Sequence, residues 1–228
     1  MKTTNGIVHD QTPLVRALIG LTVVTGLVDA ISFLGLGHIF TANMTGNVVF
    51  LGFAAGGAPG ISAARSIAAL CAFAAGSACG GRLTGSRERT PAGHLLIATY
   101  VETALLLTAA IAAAFATSDV PPAIAYTIVL STATAMGLRN AVVRKLAVPD
   151  LTTTVLTLTL TGLAADSSVA GSRTARRVLS VVAMFAGALA GAILLRAFGL
   201  TAPLVLAALM VAGLTFNLHL QARPNVLQ

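Results

Sequence analysis

Apolar runs of about 20 residues, each long enough to cross the hydrocarbon core of a bilayer as a helix, recur from Leu14 to Leu220. The long ones are Leu14–Leu36, Ile61–Gly81, Leu95–Ala116, Ala123–Val143, Val178–Phe198 and Ala202–Leu220, with two shorter pieces between them, Phe40–Ala55 and Leu151–Leu163. Lipid offers the backbone no hydrogen-bonding partner, so such a chain folds as helices that satisfy their own backbone groups. We read it as an all-α polytopic membrane bundle with about six spans plus two short re-entrant or discontinuous segments. One membrane domain covers 14–220, flanked by tails at 1–13 and 221–228. No stretch outside the apolar runs is long enough to bury a soluble core. The first run is longer than a signal-peptide core and lacks a clear cleavage signal, so it reads as a retained span.

Charge narrows the partners. The net charge is +7, yet only 9% of residues are charged, and the basic ones fall in short loops beside apolar runs. That pattern points to anionic lipid head groups and not to nucleic acid. Cys71 and Cys79 are the only cysteines. Eight residues of one helix separate them, about 12 Å of rise, too far for a disulfide.

The order of segments repeats. A shift of 111 residues places Gly26, Leu27 and Ala30 on Gly137, Leu138 and Ala141, and Asp29 on Asn140. It also places Thr41 on Thr152, Arg65 on Arg176, and Ala72, Gly76 and Gly80 on Ala183, Gly187 and Gly191. The halves are about 14–117 and 121–220. If both short pieces span, the halves are parallel and Lys and Arg divide almost evenly between the two sides. If both pieces re-enter and the N-terminus is cytoplasmic, twelve basic residues, Arg139 among them, lie inside and only Arg65 and Arg196 outside. The second arrangement obeys the positive-inside rule. It gives two inverted halves of three spans, an arrangement used by transporters and channels, in which discontinuous segments meet near the midplane.

Polar residues inside such a bundle are costly and should face its interior. His38, Thr41, Asn43, Thr45 and Asn47 crowd the first short piece, and Thr152, Thr154 and Thr157 the second. They suit the wall of a pathway for a small polar solute, or for an anion met by half-helix N-termini. The plainer reading is interhelical hydrogen bonding, and for His38 a polar cap at the membrane edge. Asp29 is the first candidate for a functional ionisable group, with Asn140 as its repeat mate and neighbouring Arg139 as a candidate structural partner. Glu102 is a second buried acid, either functional or protonated and hydrogen-bonded. Arg65 and Arg176, at helix starts, read as snorkelling anchors. Ala72, Gly76 and Gly80, with mates Ala183, Gly187 and Gly191, form small-xxx-small faces for close packing between the halves or between subunits.

HExxH, GxSxG, CxxC and phosphate-cradling motifs are absent from the sequence, and four dispersed histidines suggest no metal centre. The expectation is a protein that is not an enzyme and carries no metal or cofactor. The run Gly26-Leu27-Val28-Asp29-Ala30-Ile31-Ser32-Phe33-Leu34, followed by Gly37-His38-Ile39-Phe40-Thr41-Ala42-Asn43-Met44-Thr45-Gly46-Asn47, resembles the hallmark of the YoaK family of bacterial inner-membrane proteins, and the layout of the whole chain is similar too. That family is a domain of unknown function. The resemblance therefore implies a bacterial plasma-membrane protein and carries over no catalytic or binding residues. Thr152–Thr161 is a weaker copy of the first polar run, without its Asn and Gly. The functional expectation is a small-solute transporter or permease, proton-linked or facilitated. The alternative is a non-transporting scaffold or accessory subunit that binds a partner, or a second copy of itself, through the glycine faces.

Overall fold

A computed structural model describes residues 12–85, 90–116, 120–146, 156–165 and 172–222. Thr152 and Thr154 lie outside the described residues, as do the tail up to residue 11 and the charged loop at 86–89. The described residues form eight helices: α1 (Thr12–Gly35), α2 (Met44–Ala55), α3 (Ala63–Leu83), α4 (Pro91–Ala114), α5 (Pro122–Leu146), α6 (Leu156–Ala165), α7 (Ser172–Phe198) and α8 (Thr201–Ala222). Five of them, α1, α3, α4, α7 and α8, are long and apolar enough to cross a membrane. At 25 residues α5 has the length, but it is more polar because it is packed between α3 and α4 and buries Thr132 and Arg139. Large apolar side chains such as Ile111, Phe185 and Phe216 stay exposed on the outside of the bundle, a surface suited to acyl chains. The chain is a multi-pass membrane protein.

The turn after α1 sets the course of the first short helix. Gly37 and His38 both take positive φ, 90° and 55°, and His38 N–H donates to the Phe33 carbonyl at 3.1 Å. The chain then doubles back, so that the Thr41 and Ala42 amides reach Asp29 in α1. Asp29 lies six residues before the end of α1, about 9 Å below its last turn. With 12 residues, α2 is about 18 Å long, far short of the hydrocarbon thickness. Beyond it, α3 starts beside the point of departure, where the Arg65 guanidinium donates to the Leu36 carbonyl at 2.9 Å. The segment between α1 and α3 thus dips into the bundle and returns at the same end of α1. Arg65, expected as a snorkelling anchor, is a tether that closes this excursion.

Between α3 and α5, and between α1 and α7, the packing is backbone on backbone. A Cβ on Gly76 in α3 would fall 2.1 Å from the Thr134 carbonyl oxygen, and one on Gly137 in α5 would fall 2.1 Å from that of Phe73. Residues 111 positions along or back in the sequence make the same contacts between α7 and α1: Gly187 against Val23 at 2.0 Å and Gly26 against Met184 at 2.2 Å. Gly80 faces Leu138, and Gly191 faces Leu27, in the same correspondence. These glycines have no room for any side chain, so the two small-residue faces are filled within the chain. Gly26 and Gly137 supply the opposing flats, which the pattern Ala72-Gly76-Gly80 alone does not reveal.

The direction of the helices follows from the same contacts. Gly76 lies by Thr134 and Gly80 by Leu138 and Ala141, so α3 and α5 run side by side in the same sense. Because α3 starts where α1 ends, α1 runs opposite to both. α4 and α8 pack on one another, completing the bundle.

Candidate functional site

Asp29 is 5% exposed, deep in α1, and its Oδ1 accepts the backbone N–H groups of Thr41 at 3.2 Å and Ala42 at 2.9 Å. A carboxylate offers several acceptor sites, and here one oxygen holds the descending limb of the re-entrant segment just ahead of α2. The positive end of the α2 dipole points the same way, which further favours a negative charge at this place. Asn47 does the complementary work from α2. Its Oδ1 accepts the Phe40 N–H at 2.9 Å while its Nδ2 donates to the Phe40 carbonyl at 2.6 Å. Phe40 and Phe50 stack with ring centroids 5.7 Å apart, and Phe40 stacks on Phe33 at 5.1 Å. Asn47→Leu should leave both backbone groups of Phe40 unpaired, at a cost of about 2 kcal/mol or more. Hydrogen exchange in micelles should then speed up across 37–47 and stay unchanged in α4 and α8.

Behind Asp29 lies a buried ion pair. Arg139, on α5, is the largest side chain that is fully buried. Its Nη1 donates to Glu102 Oε1 on α4 at 2.7 Å. Its Nη2 donates to the hydroxyl of Thr25 on α1, which in turn donates to the Leu21 carbonyl. One guanidinium therefore joins α1, α4 and α5. Two expectations are corrected here. Arg139 is paired with Glu102 and not with Asp29. It is also fully buried inside the bundle and not in a loop, so the expected orientation would place eleven basic residues, not twelve, on the cytoplasmic side. The clue was present in the sequence: the 111-residue shift puts Arg139 on Val28, a residue in the interior of a span.

The polar groups of the two short helices meet around one cavity of about 780 Å3, lined by Thr25, Asp29, Asn43, Thr45, Phe50, Phe73, Thr157 and Met184 with Ala42, Met44, Gly46 and Val49. Phe73 and Met184 stand 111 positions apart in the sequence, and so do Gly46 and Thr157. Two smaller cavities flank it. One, of about 380 Å3, shares Asp29, Asn43 and Met184 with the central cavity and extends to Phe33, Leu34 and Ala192. The other, of about 560 Å3, shares Phe73 and is lined by Ser77, Gly81, Asn140, Ala141, Arg144 and Lys145. Asp29, Ala30 and Leu34 on one side correspond to Asn140, Ala141 and Lys145 on the other.

Of the residues singled out in the sequence, Asp29, Asn43, Thr45 and Thr157 thus share the central cavity, and Asn140 lines its neighbour. Thr41 and Asn47 are buried away from it, and His38 is exposed at the end of α1, packed edge-on against Phe33. Glu102 sits behind the wall. Thr25, Phe73 and Met184 were not singled out; for Phe73 and Met184 the only available signal was their 111-residue spacing. Among the described residues no group of three His, Cys, Asp or Glu is placed to hold a metal ion.

Comparison with known proteins bears on the whole of this framework. No solved structure matches the chain. The UPF0700 transmembrane protein YoaK of Bacillus subtilis (strain 168) is 35% identical over 150 residues, which is 65% of this chain. The match spans about 64% of the length of that relative. A family described as protein of unknown function (DUF1275) matches residues 17–216, from α1 into the last turns of α8. The chain belongs to that family.

Proposed function

We propose that this protein is a small-solute permease of the bacterial plasma membrane, with its N-terminus cytoplasmic and the central cavity as its solute site. The cavity between the two short helices carries the reading: beside the close-packed α1–α7 and α3–α5 pairs, it gathers Asp29, Asn43, Thr45 and Thr157. The halves are read as inverted copies of three spans each, with α5 as the sixth span. The paired glycine contacts, the opposite course of α1 and α5, and the flanking cavities all support that arrangement. Binding at the interface of such halves lets a rocking motion expose one site to each side in turn. The scaffold alternative loses its proposed docking face, because the glycine ladders are filled within the chain.

Accessibility tests this. With Cys71 and Cys79 replaced by Ala, single cysteines at Thr45 and Thr157 should react with a water-soluble, membrane-impermeant maleimide. Both intact cells and inverted vesicles should show the reaction, as expected if the site alternates. A cysteine at Ile111, 62% exposed on the outer face, should remain unlabelled in the bilayer. If neither cavity cysteine reacts from either side, the cavity is dry and the permease reading fails.

A further inference from the structure

The charges around the central cavity do not cancel. Arg139 is taken by Glu102, with 0% exposure on both side chains, so that pair contributes little net field. Asp29 forms no ion pair among the described residues, and Arg139 acts on it only at longer range. The Thr41 and Ala42 amides both bond Oδ1, the Asn43 amide adds a weaker third interaction with the carboxylate, and the side chain lines the cavity. Arg144 and Lys145 lie in the neighbouring cavity, beyond Phe73. The α2 dipole offsets only about half a charge. Low-dielectric walls prolong the reach of what remains, because there is little solvent to screen it. Two aromatic side chains, Phe50 and Phe73, line the same cavity, and ring faces attract cations that have been stripped of water.

We propose that the central cavity selects a monovalent organic cation, with the Asp29 carboxylate as counter-ion and Phe50 and Phe73 as its aromatic walls. This inference rests on the permease reading for its purpose, and it narrows the solute from any small polar molecule or anion to a cation. The field at the site attracts an ammonium group, repels a carboxylate or phosphate, and leaves a neutral solute to the hydroxyls and amides of Thr45, Asn43 and Thr157.

Reagents of opposite charge measure this without knowledge of the natural solute. Purified Thr45→Cys protein, lacking Cys71 and Cys79, is reacted with trimethylammonioethyl methanethiosulfonate and, separately, with sulfonatoethyl methanethiosulfonate. Each rate is divided by the rate of that reagent with a free thiol. The cationic reagent should be favoured about 10-fold or more, the lower end of electrostatic steering in a cleft. Adding Asp29→Asn should bring the ratio close to one, while Asp29→Glu should retain it. Asn keeps an acceptor for the Thr41 and Ala42 amides and is the residue that the second half carries at Asn140, so the loop should keep its course. Equal normalised rates in the Asp29 protein, or a ratio that Asp29→Asn does not change, would overturn the cation assignment and leave a wet cavity in place. Absence of reaction with either reagent would remove both the cation site and the permease reading.

Discussion

Gly187→Ala is expected to cost this protein more than any other single methyl group added along its length. The new Cβ would sit 2.0 Å from the Val23 carbonyl oxygen, a backbone atom that cannot rotate away. Relief requires α7 and α1 to separate by more than an ångström along the whole contact. That forfeits the dispersion energy and close packing on which helix association in lipid depends. Overpacking costs of about 1–3 kcal/mol are usual in cores, and contact with backbone belongs at the top of that range or above it. Gly76→Ala should behave alike, since its Cβ would meet the Thr134 carbonyl at 2.1 Å. The two contacts lie on different helix pairs, so the double variant should lose nearly the sum. Gly213→Ala is the contrast: nothing lies within 4 Å of its Cβ, and alanine in a helix interior should gain up to about 1 kcal/mol. Unfolding in mixed micelles, followed by circular dichroism across a denaturing-detergent titration, checks the order. Equal midpoints for Gly187→Ala and Gly213→Ala would refute the close-packed geometry.

How far the sequence foretold this depends on the kind of signal each residue leaves. Long apolar runs mark α1, α3, α4, α7 and α8 directly, because lipid allows little besides helix. The shortness of α2 was legible in the run Phe40–Ala55; the structure adds that glycines at positive φ, Gly37 before it and Gly57 and Gly60 after it, turn the chain on either side. The destination of its polar side chains was not legible. Asn43 and Asn47 share a helical face by spacing, yet Asn43 precedes the helix and faces the cavity, whereas Asn47 turns back to grip Phe40. Tertiary placement of the preceding loop decides that, and periodicity does not encode it.

Arg139 shows the opposite failure. A basic residue five positions before Arg144, near the end of an apolar run, resembles a loop anchor by local composition. Its partner, Glu102, lies 37 residues away on another helix, so only the three-dimensional packing could bring the charges together. The 111-residue shift nonetheless holds information that local composition does not. It aligned Arg139 with Val28, and a residue whose mate is buried in mid-span is itself a candidate for burial. Asymmetric ion pairs of this kind also limit how alike the two halves can be, because the shift pairs Glu102 with Gly213.

That asymmetry predicts how the buried pair responds to being broken. Arg139→Met should destabilise the folded protein by about 3–5 kcal/mol, the range for removing one member of a buried ion pair. It strands the Glu102 carboxylate, one oxygen of which already lacks a partner, and it leaves the Thr25 hydroxyl without its donor. Glu102→Leu should cost less, because the guanidinium it releases still has Thr25 and lies within electrostatic reach of Asp29. The double variant Arg139→Met/Glu102→Leu should recover much of the loss, since an apolar pair of similar volume has no desolvation penalty to offset. The same detergent titration reads all three proteins, and the coupling between the two substitutions isolates the pair from its surroundings. A double variant as unstable as Arg139→Met alone would mean that Arg139 matters through Thr25 and the packing of α1, and not through Glu102. If the double variant folds and keeps the charge selectivity of a cysteine at Thr45, the ion pair braces the helices while Asp29 alone sets the field of the cavity.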